Sequence, residues 1–176
     1  MSDIDALFDS LTALQASRSR PPVHLWHPEQ VGAIDIRIAE NGAWYHEGDP
    51  IPRQALVNLF ASILRREGGD YFLVTPVEKL RICVDDVPFV LHDMDVRGAG
   101  RYKELLFTTN VQDYVTADAE HALEMREGIP YLHVRDELYA RASRPVYYRL
   151  IEEGEHEDDE FVVYSSAARF ILGRLE

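Results

Sequence analysis

Residues 107–125, FTTNVQDYVTADAEHALEM, set Asn110, Asp113, Asp118, Glu120 and His121 within a dozen positions. Carboxylates and an imidazole so close could hold a metal ion, or could move protons with Asp113 and His121 as the working pair. A transition-metal site needs two or three ligands converging from familiar spacings. No His-Glu-x-x-His or Cys-x-x-Cys occurs, and His24, His27, His46, His92, His133 and His156 are scattered. A calcium loop needs alternating carboxylates around a glycine, which this run lacks. No metal is expected, and nothing in the sequence specifies a cofactor. The structural reading is that Asn110 and Asp113 sit in a turn and bond nearby backbone amides, with Asp118 doing the same at the next bend. His121 then starts His-Ala-Leu half-buried and bonded to backbone. A third reading is direct contact with a ligand.

Other groups suit an anion. In LVTPVEKL, Lys79 and Arg81 fall on one face of a strand and could hold a phosphate, unless that face is simply solvated. The helix starts at Pro52-Arg53 and Arg144-Pro145 combine free amides, a positive dipole end and an arginine. No glycine-rich phosphate loop accompanies either, so a turn competes with an anion site at both. Tyr148 falls off the stripe of Val146, Leu150 and Ile151, which leaves its ring outside and able to stack on a base. Cys83, the sole cysteine, lies in the apolar run LRICV and reads as a small core residue. No Gly-x-Ser-x-Gly elbow is present, so nucleophilic catalysis has little support.

These groups need a scaffold, and the composition can supply one. The chain has 176 residues, 46% of them apolar, enough for a substantial core in one domain or two small ones. Its formal net charge of −13 repels nucleic acid polymers and anionic membranes, while a small anion responds to the local field alone. The acidic start lacks the basic residues of a signal peptide, and no apolar run approaches the roughly 20 residues of a membrane span. A cytoplasmic protein is expected.

Ile4, Leu7, Phe8, Leu11 and Leu14 recur at helical spacing, with Ser2 as cap and ASRSRPP as the following linker. That stripe must cover either its own chain or a protein partner. The period then drops to two at Ile34, Ile36 and Ile38, and Asn41-Gly42 signals a hairpin whose second strand carries Trp44 and Tyr45. A helix is expected over 52–66, with Arg65 and Arg66 in its last turn and Gly68-Gly69 stopping it. Strands follow at DYFLVTP, EKLRICV, VPFVLHDMDV, KELLFTTN and DYVTAD, and HALEMREGIP leads out. YLHVRDELYARA reads as a hairpin, 145–153 as a short helix, GEHEDDE as an acidic turn, and FVVYSS and RFIL as strands. The order of hairpin, Pro-started helix, charged turn and two strands therefore occurs twice.

The runs LWHPEQVGAIDIRI, GDPIPRQALVNLFASILRREGGDYFLVTPVEKLRICVDDVPFV, FTTNVQDYVTADAEHAL and PYLHVRDELYARASRPVYYRLIEEG resemble the bacterial domain-of-unknown-function family numbered 1285. The likeness spans nearly the whole chain after Pro21, and YFLVTPVEK is its most distinctive piece. It implies an α+β fold of two duplicated halves, the C-terminal one superficially like a pleckstrin-homology barrel. It also implies a ligand site between the halves, of nucleotide-like type, and a role in signalling. The family brings no assigned reaction.

The expectation is thus an N-terminal helix and linker over 1–20, then α+β halves over 21–100 and 101–176, each a small curved antiparallel sheet packed on a helix. The leading function is a small-ligand-binding or sensor protein. Lys79, Arg81, Asn110, Asp113, His121, Arg144 and Tyr148 would hold a nucleotide-like anion. The alternatives are a protein–protein interaction module and an enzyme using Asp113 and His121.

Overall fold

The computed structural model describes residues 3–14 and 20–176. Helix α1 (Asp3–Leu14) buries Leu7 and Leu11, one turn apart on the expected apolar stripe. The expected cap Ser2 and most of the expected linker lie outside the described residues.

Period-two alternation makes β1 (Gln30–Ile38), where Ile34, Ile36 and Ile38 point inward and Asp35 and Arg37 outward. Asn41-Gly42 turns the chain as expected, with Asn41 Oδ1 accepting the Ala43 amide and Gly42 at φ +87°. The returning strand β2 (Trp44–His46) pairs with β1, and β3 (Asp49–Pro50) borders it. Helix α2 (Gln54–Ala61) buries Val57, Leu59 and Phe60, and Phe60 stacks on Trp44 at 6.3 Å.

The expected helix over 52–66 is only half a helix. Residues 64–67 form β4 (Leu64–Glu67), and Gly68-Gly69 is a hairpin turn rather than a helix stop. The turn leads into β5 (Asp70–Val74), with Glu67 opposite Asp70 and Leu64 opposite Leu73. Ile63 and Leu64 continue the helical spacing, yet Ile63 is buried in the turn after α2 and Leu64 in the sheet opposite Leu73. Strand β6 (Glu78–Val84) completes this unit in the order β3-β2-β1-β6-β5-β4. Its alternation turns Ile82 inward and Cys83 outward, so the cysteine is exposed and not a core residue.

A second unit begins at Val87. It contains β7 (Phe89–Arg97), β8 (Glu104–Thr109), β9 (Tyr114–Thr116), β10 (Leu123–Arg126), β11 (Ile129–Arg135), β12 (Leu138–Ala142) and α3 (Arg144–Glu152). A meander of β13 (Glu155–Glu157), β14 (Glu160–Ser165) and β15 (Ala168–Arg174) ends it. Its fully buried strand residues include Phe89, Leu91, Met94, Phe107, Leu132 and Leu138, and α3 buries Val146 and Leu150. The expected boundary after residue 100 moves back to Asp86, because β7 is laddered to β8 and β12.

The fold is two-domain α+β, mainly sheet with few helices, and one of its two six-stranded sheets curls as a half-barrel. Neither six-stranded sheet is purely antiparallel as expected: β1 runs parallel to β6, and β12 parallel to β7. Each parallel pair joins strands distant in sequence, which local alternation does not reveal. Two short hairpins also replace expected connectors. HALEMREGIP forms β10 and enters β11 through Glu127-Gly128, both at positive φ, and GEHEDDE forms β13 and enters β14.

Candidate functional site

The turn between β8 and β9 is organised by a residue that the sequence reading passed over. Buried Thr109 accepts the amides of Val111 (3.3 Å) and Asp113 (3.1 Å) with its hydroxyl oxygen. Asn110 reaches β7 instead. Its amide donates to the Val90 carbonyl (2.9 Å), and its Oδ1 accepts the Val90 amide (3.0 Å). Asp113 Oδ2 accepts from Arg135 Nη1 at 3.2 Å, and the Arg135 guanidinium lies 5.2 Å from the Phe89 ring centre. Asn110 and Asp113 thus sit in a turn, and their side chains also make long-range ties, to Val90 and to Arg135.

At the next bend Asp118 bonds nearby amides as expected, whereas the His121 ring meets the Asp118 side chain rather than backbone. Asp118 Oδ1 accepts the amides of Glu120 (2.9 Å) and His121 (2.7 Å) and lies 3.1 Å from His121 Nδ1. Partial burial opposes ionisation of Asp118, but those amides and the imidazole hold its carboxyl below the usual range. Asp113 is thus bonded to Arg135 and His121 to Asp118.

Lys79 and Arg81 share a face of β6, as alternation requires, and both flank the ring of Phe72, at 4.7 and 5.9 Å. Each also faces an acid. Lys79 Nζ donates to Glu67 Oε2 (2.7 Å), and Arg81 lies 3.8 Å from Asp70. The Lys79 bond, aided by Arg65 and opposed by desolvation, holds the Glu67 carboxyl low. This basic stripe is thus largely neutralised. It belongs to the first unit, whereas the other five residues singled out in the sequence belong to the second.

Helix α3 starts without a side-chain cap. Ser143 occupies the cap position with extended backbone (φ −67°, ψ 163°), yet its Oγ is shielded from solvent and has no hydrogen-bond partner. Its amide donates to Leu91 (3.0 Å), so Asn110 and the start of α3 hang from successive residues of β7. Arg144 is exposed in the first turn. Tyr148 is 58% exposed and tilted against Tyr147 at 5.7 Å.

A second array on β10, β11 and β12 went unread in the sequence. His133 stacks on His121 at 6.1 Å and leans on Tyr139 at 5.2 Å, and its ring nitrogens face the carbonyls of Glu120 (2.9 Å) and Asp136. The Arg126 guanidinium lies 4.7 Å from the ring centres of both Tyr131 and Tyr139. Alternation along β11 and β12 could have put Tyr131, His133 and Tyr139 on one face, but Arg126 joins them only once β10 is known to be a strand. Among the described residues, no group of three or more His, Cys, Asp or Glu side chains is arranged to hold a metal ion. No described helix is long and apolar enough to cross a membrane.

Comparison with known proteins agrees with this architecture. The profile "Domain of unknown function (DUF1285), N-terminal domain" matches residues 21–87, and "Protein of unknown function (DUF1285), C-terminal domain" matches residues 88–172. A crystal structure of a DUF1285 family protein from Silicibacter pomeroyi DSS-3 is 44% identical, with 94% of each chain covered and a TM-score of 0.85. Another, from Shewanella baltica OS155, is 29% identical over 66% of this chain and 90% of that one, with a TM-score of 0.57. No curated protein matches the chain. Two domain profiles in tandem and a 44%-identical relative aligned over nearly its full length place the chain in the DUF1285 family.

Proposed function

We propose that this protein is a cytoplasmic sensor that binds a small, nucleotide-like anion in signalling, and that the start of α3 holds the anion. The observation carrying this reading is the uncapped first turn of α3, where the buried Ser143 hydroxyl has no partner and Arg144 stands beside it. Free first-turn amides, a hydroxyl and a guanidinium are donors suited to a phosphate or carboxylate. Tyr148, one turn on, offers an exposed ring on which a base can stack. The acidic balance of the chain disfavours nucleic acid polymers and anionic membranes, but a local cation set suits a small anion.

The hairpin–helix–meander order of β1-β2, α2, β4-β5-β6 recurs in β11-β12, α3, β13-β14-β15, and we read it as an internal duplication. A pleckstrin-homology-like character of the C-terminal half belongs to the same reading. Two alternatives have less support. Asp113 bonds Arg135 and His121 bonds Asp118, which weakens the enzyme reading, and the burial of Leu7 and Leu11 in α1 weakens that of a protein-docking helix.

Calorimetric titration with a panel of mono- and dinucleotides tests the proposal. Arg144→Ala should weaken binding by roughly tenfold, the scale of one lost charge-assisted hydrogen bond. Tyr148→Ala should weaken nucleotides but not inorganic phosphate. No binding by the wild type, or equal affinity in Arg144→Ala, would remove this site from consideration.

A further inference from the structure

We propose that Tyr131 and Tyr139 form a binding site for a methylated or quaternary ammonium group, closed in this structure by the protein's own Arg126. The Arg126 guanidinium lies 4.7 Å from both ring centres, inside the roughly 6 Å reach of a cation–π contact. Glu124 supplies a third, negative wall, its Oε1 accepting from Arg126 Nε at 2.6 Å. Two aromatic faces and a carboxylate around one point make a cage for a diffuse positive charge. Here that point is filled from within the chain.

The two aromatic walls have contacts besides their occupant. Tyr131 is buried in β11, between Glu124 of β10 and Arg141 of β12. Tyr139 leans on His133, whose ring is anchored between the carbonyls of Glu120 and Asp136. Arg126 is the movable part. It ends β10 just before the Glu127-Gly128 turn, and its side chain is 41% exposed. Rotating this long side chain outward would withdraw the guanidinium from both rings.

The occupant's charge follows from the walls. The faces of both rings and the Glu124 carboxylate attract a cation, and the net charge of −13 enriches cations near the surface. Like guanidinium, a methylated ammonium is weakly hydrated, whereas a bare lysine ammonium gives up its water reluctantly. Because Arg126 is tethered beside the rings, it outcompetes a dissolved ligand, so the wild type should bind such cations weakly. This proposal goes beyond the anion reading and uses a probe of opposite charge, so either can fail without the other.

The test is an NMR titration of the full chain with choline and with its uncharged isostere 3,3-dimethyl-1-butanol, following the tyrosine ring signals. Arg126→Ala should bind choline at least tenfold more tightly than the wild type and should discriminate against the alcohol. Adding Tyr139→Ala should abolish the gain. Arg126→Ser, which also clears the rings, gives the same comparison if the alanine variant does not fold. Choline binding no tighter in the folded variant than in the wild type, or equal binding of choline and the alcohol, would overturn the proposal and leave Arg126 as a clasp between β10 and its neighbours.

Discussion

In the first unit the strand that ends the meander, β6, lies parallel beside β1, the first strand of the hairpin, and the whole unit becomes one six-stranded sheet. In the second unit the matching side of β11 is already taken by β10. The meander strand β15 runs next to β10 without joining its ladder, and β13-β14-β15 remains a separate three-stranded sheet. The same run of elements thus closes in two ways, according to whether a preceding strand has filled the pairing edge. Backbone hydrogen bonds attach the meander in the first unit. In the second, the β14–β15 turn makes two backbone bonds outside its own sheet, from the Ser166 amide to the Lys103 carbonyl (2.8 Å) and from the Ala167 amide to the Arg101 carbonyl (2.9 Å), and side-chain bonds add to them. Ser165 Oγ donates to the Ala117 carbonyl (2.6 Å) and accepts the Leu105 amide (3.0 Å), and just ahead of the meander Lys103 Nζ holds the end of α3 at the Glu153 carbonyl (2.9 Å) and carboxylate (3.0 Å).

The strongest test of this contrast is Ser165→Ala. It leaves a buried amide and a buried carbonyl without partners, and should cost about 2–4 kcal/mol in urea unfolding. A loss below about 0.5 kcal/mol, the level of an ordinary surface change, would show that the hydroxyl does not fasten the meander.

Gly128→Ala attacks the strand that fills the edge. Gly128 has φ +79°, and a side chain there should cost about 1–2 kcal/mol by straining the turn between β10 and β11. Amide exchange should quicken in β10 before it does so in β7 or β8. Uniform exchange across that sheet would mean that β10 does not open separately.

A smaller effect is expected where β6 meets β1. Arg37 Nε donates to Asp85 Oδ1 at 3.0 Å, and its hydrogen bond and charge hold the Asp85 carboxyl below the usual range. The folded-state value lies below the unfolded one of about 3.9, so this contribution is present above that pH and is lost as pH falls through the folded value. Asp85→Asn should therefore lower the thermal midpoint slightly at pH 7, with the difference from wild type shrinking in acid. A difference that stays constant from pH 7 to pH 2 would mean that ionisation of Asp85 is not its source.

The smallest stability effect should come from Arg144→Ala, an exposed change expected to stay within about 0.5 kcal/mol of wild type. Its unfolding midpoint should not move even where nucleotide binding does, which separates a ligand contact from a structural one. A large shift would instead tie Arg144 to the packing of α3.

Features with a local cause were legible in the chain. The burial of Ile34, Ile36 and Ile38, the Asn41-Gly42 turn, the Pro145 helix start and the bend at Asp118 each follow from spacing or from a side chain bonding its own neighbourhood. Exposure of Tyr148 followed from its place off the stripe of α3. What depends on partners distant in sequence was not legible. Helical spacing ran on through Ile63 and Leu64, and only pairing with β5 made Leu64 the start of a strand. The charged strands β10 and β13 are too short to show a period and exist through their hairpin partners. Asp113 found Arg135 and Asn110 found Val90 across 22 and 20 residues, because sheet order brings those strands together. Local sequence sets which face of an element is apolar, whereas strand order decides which faces and polar groups meet, and strand order is settled by the competition of distant segments for the same pairing edge.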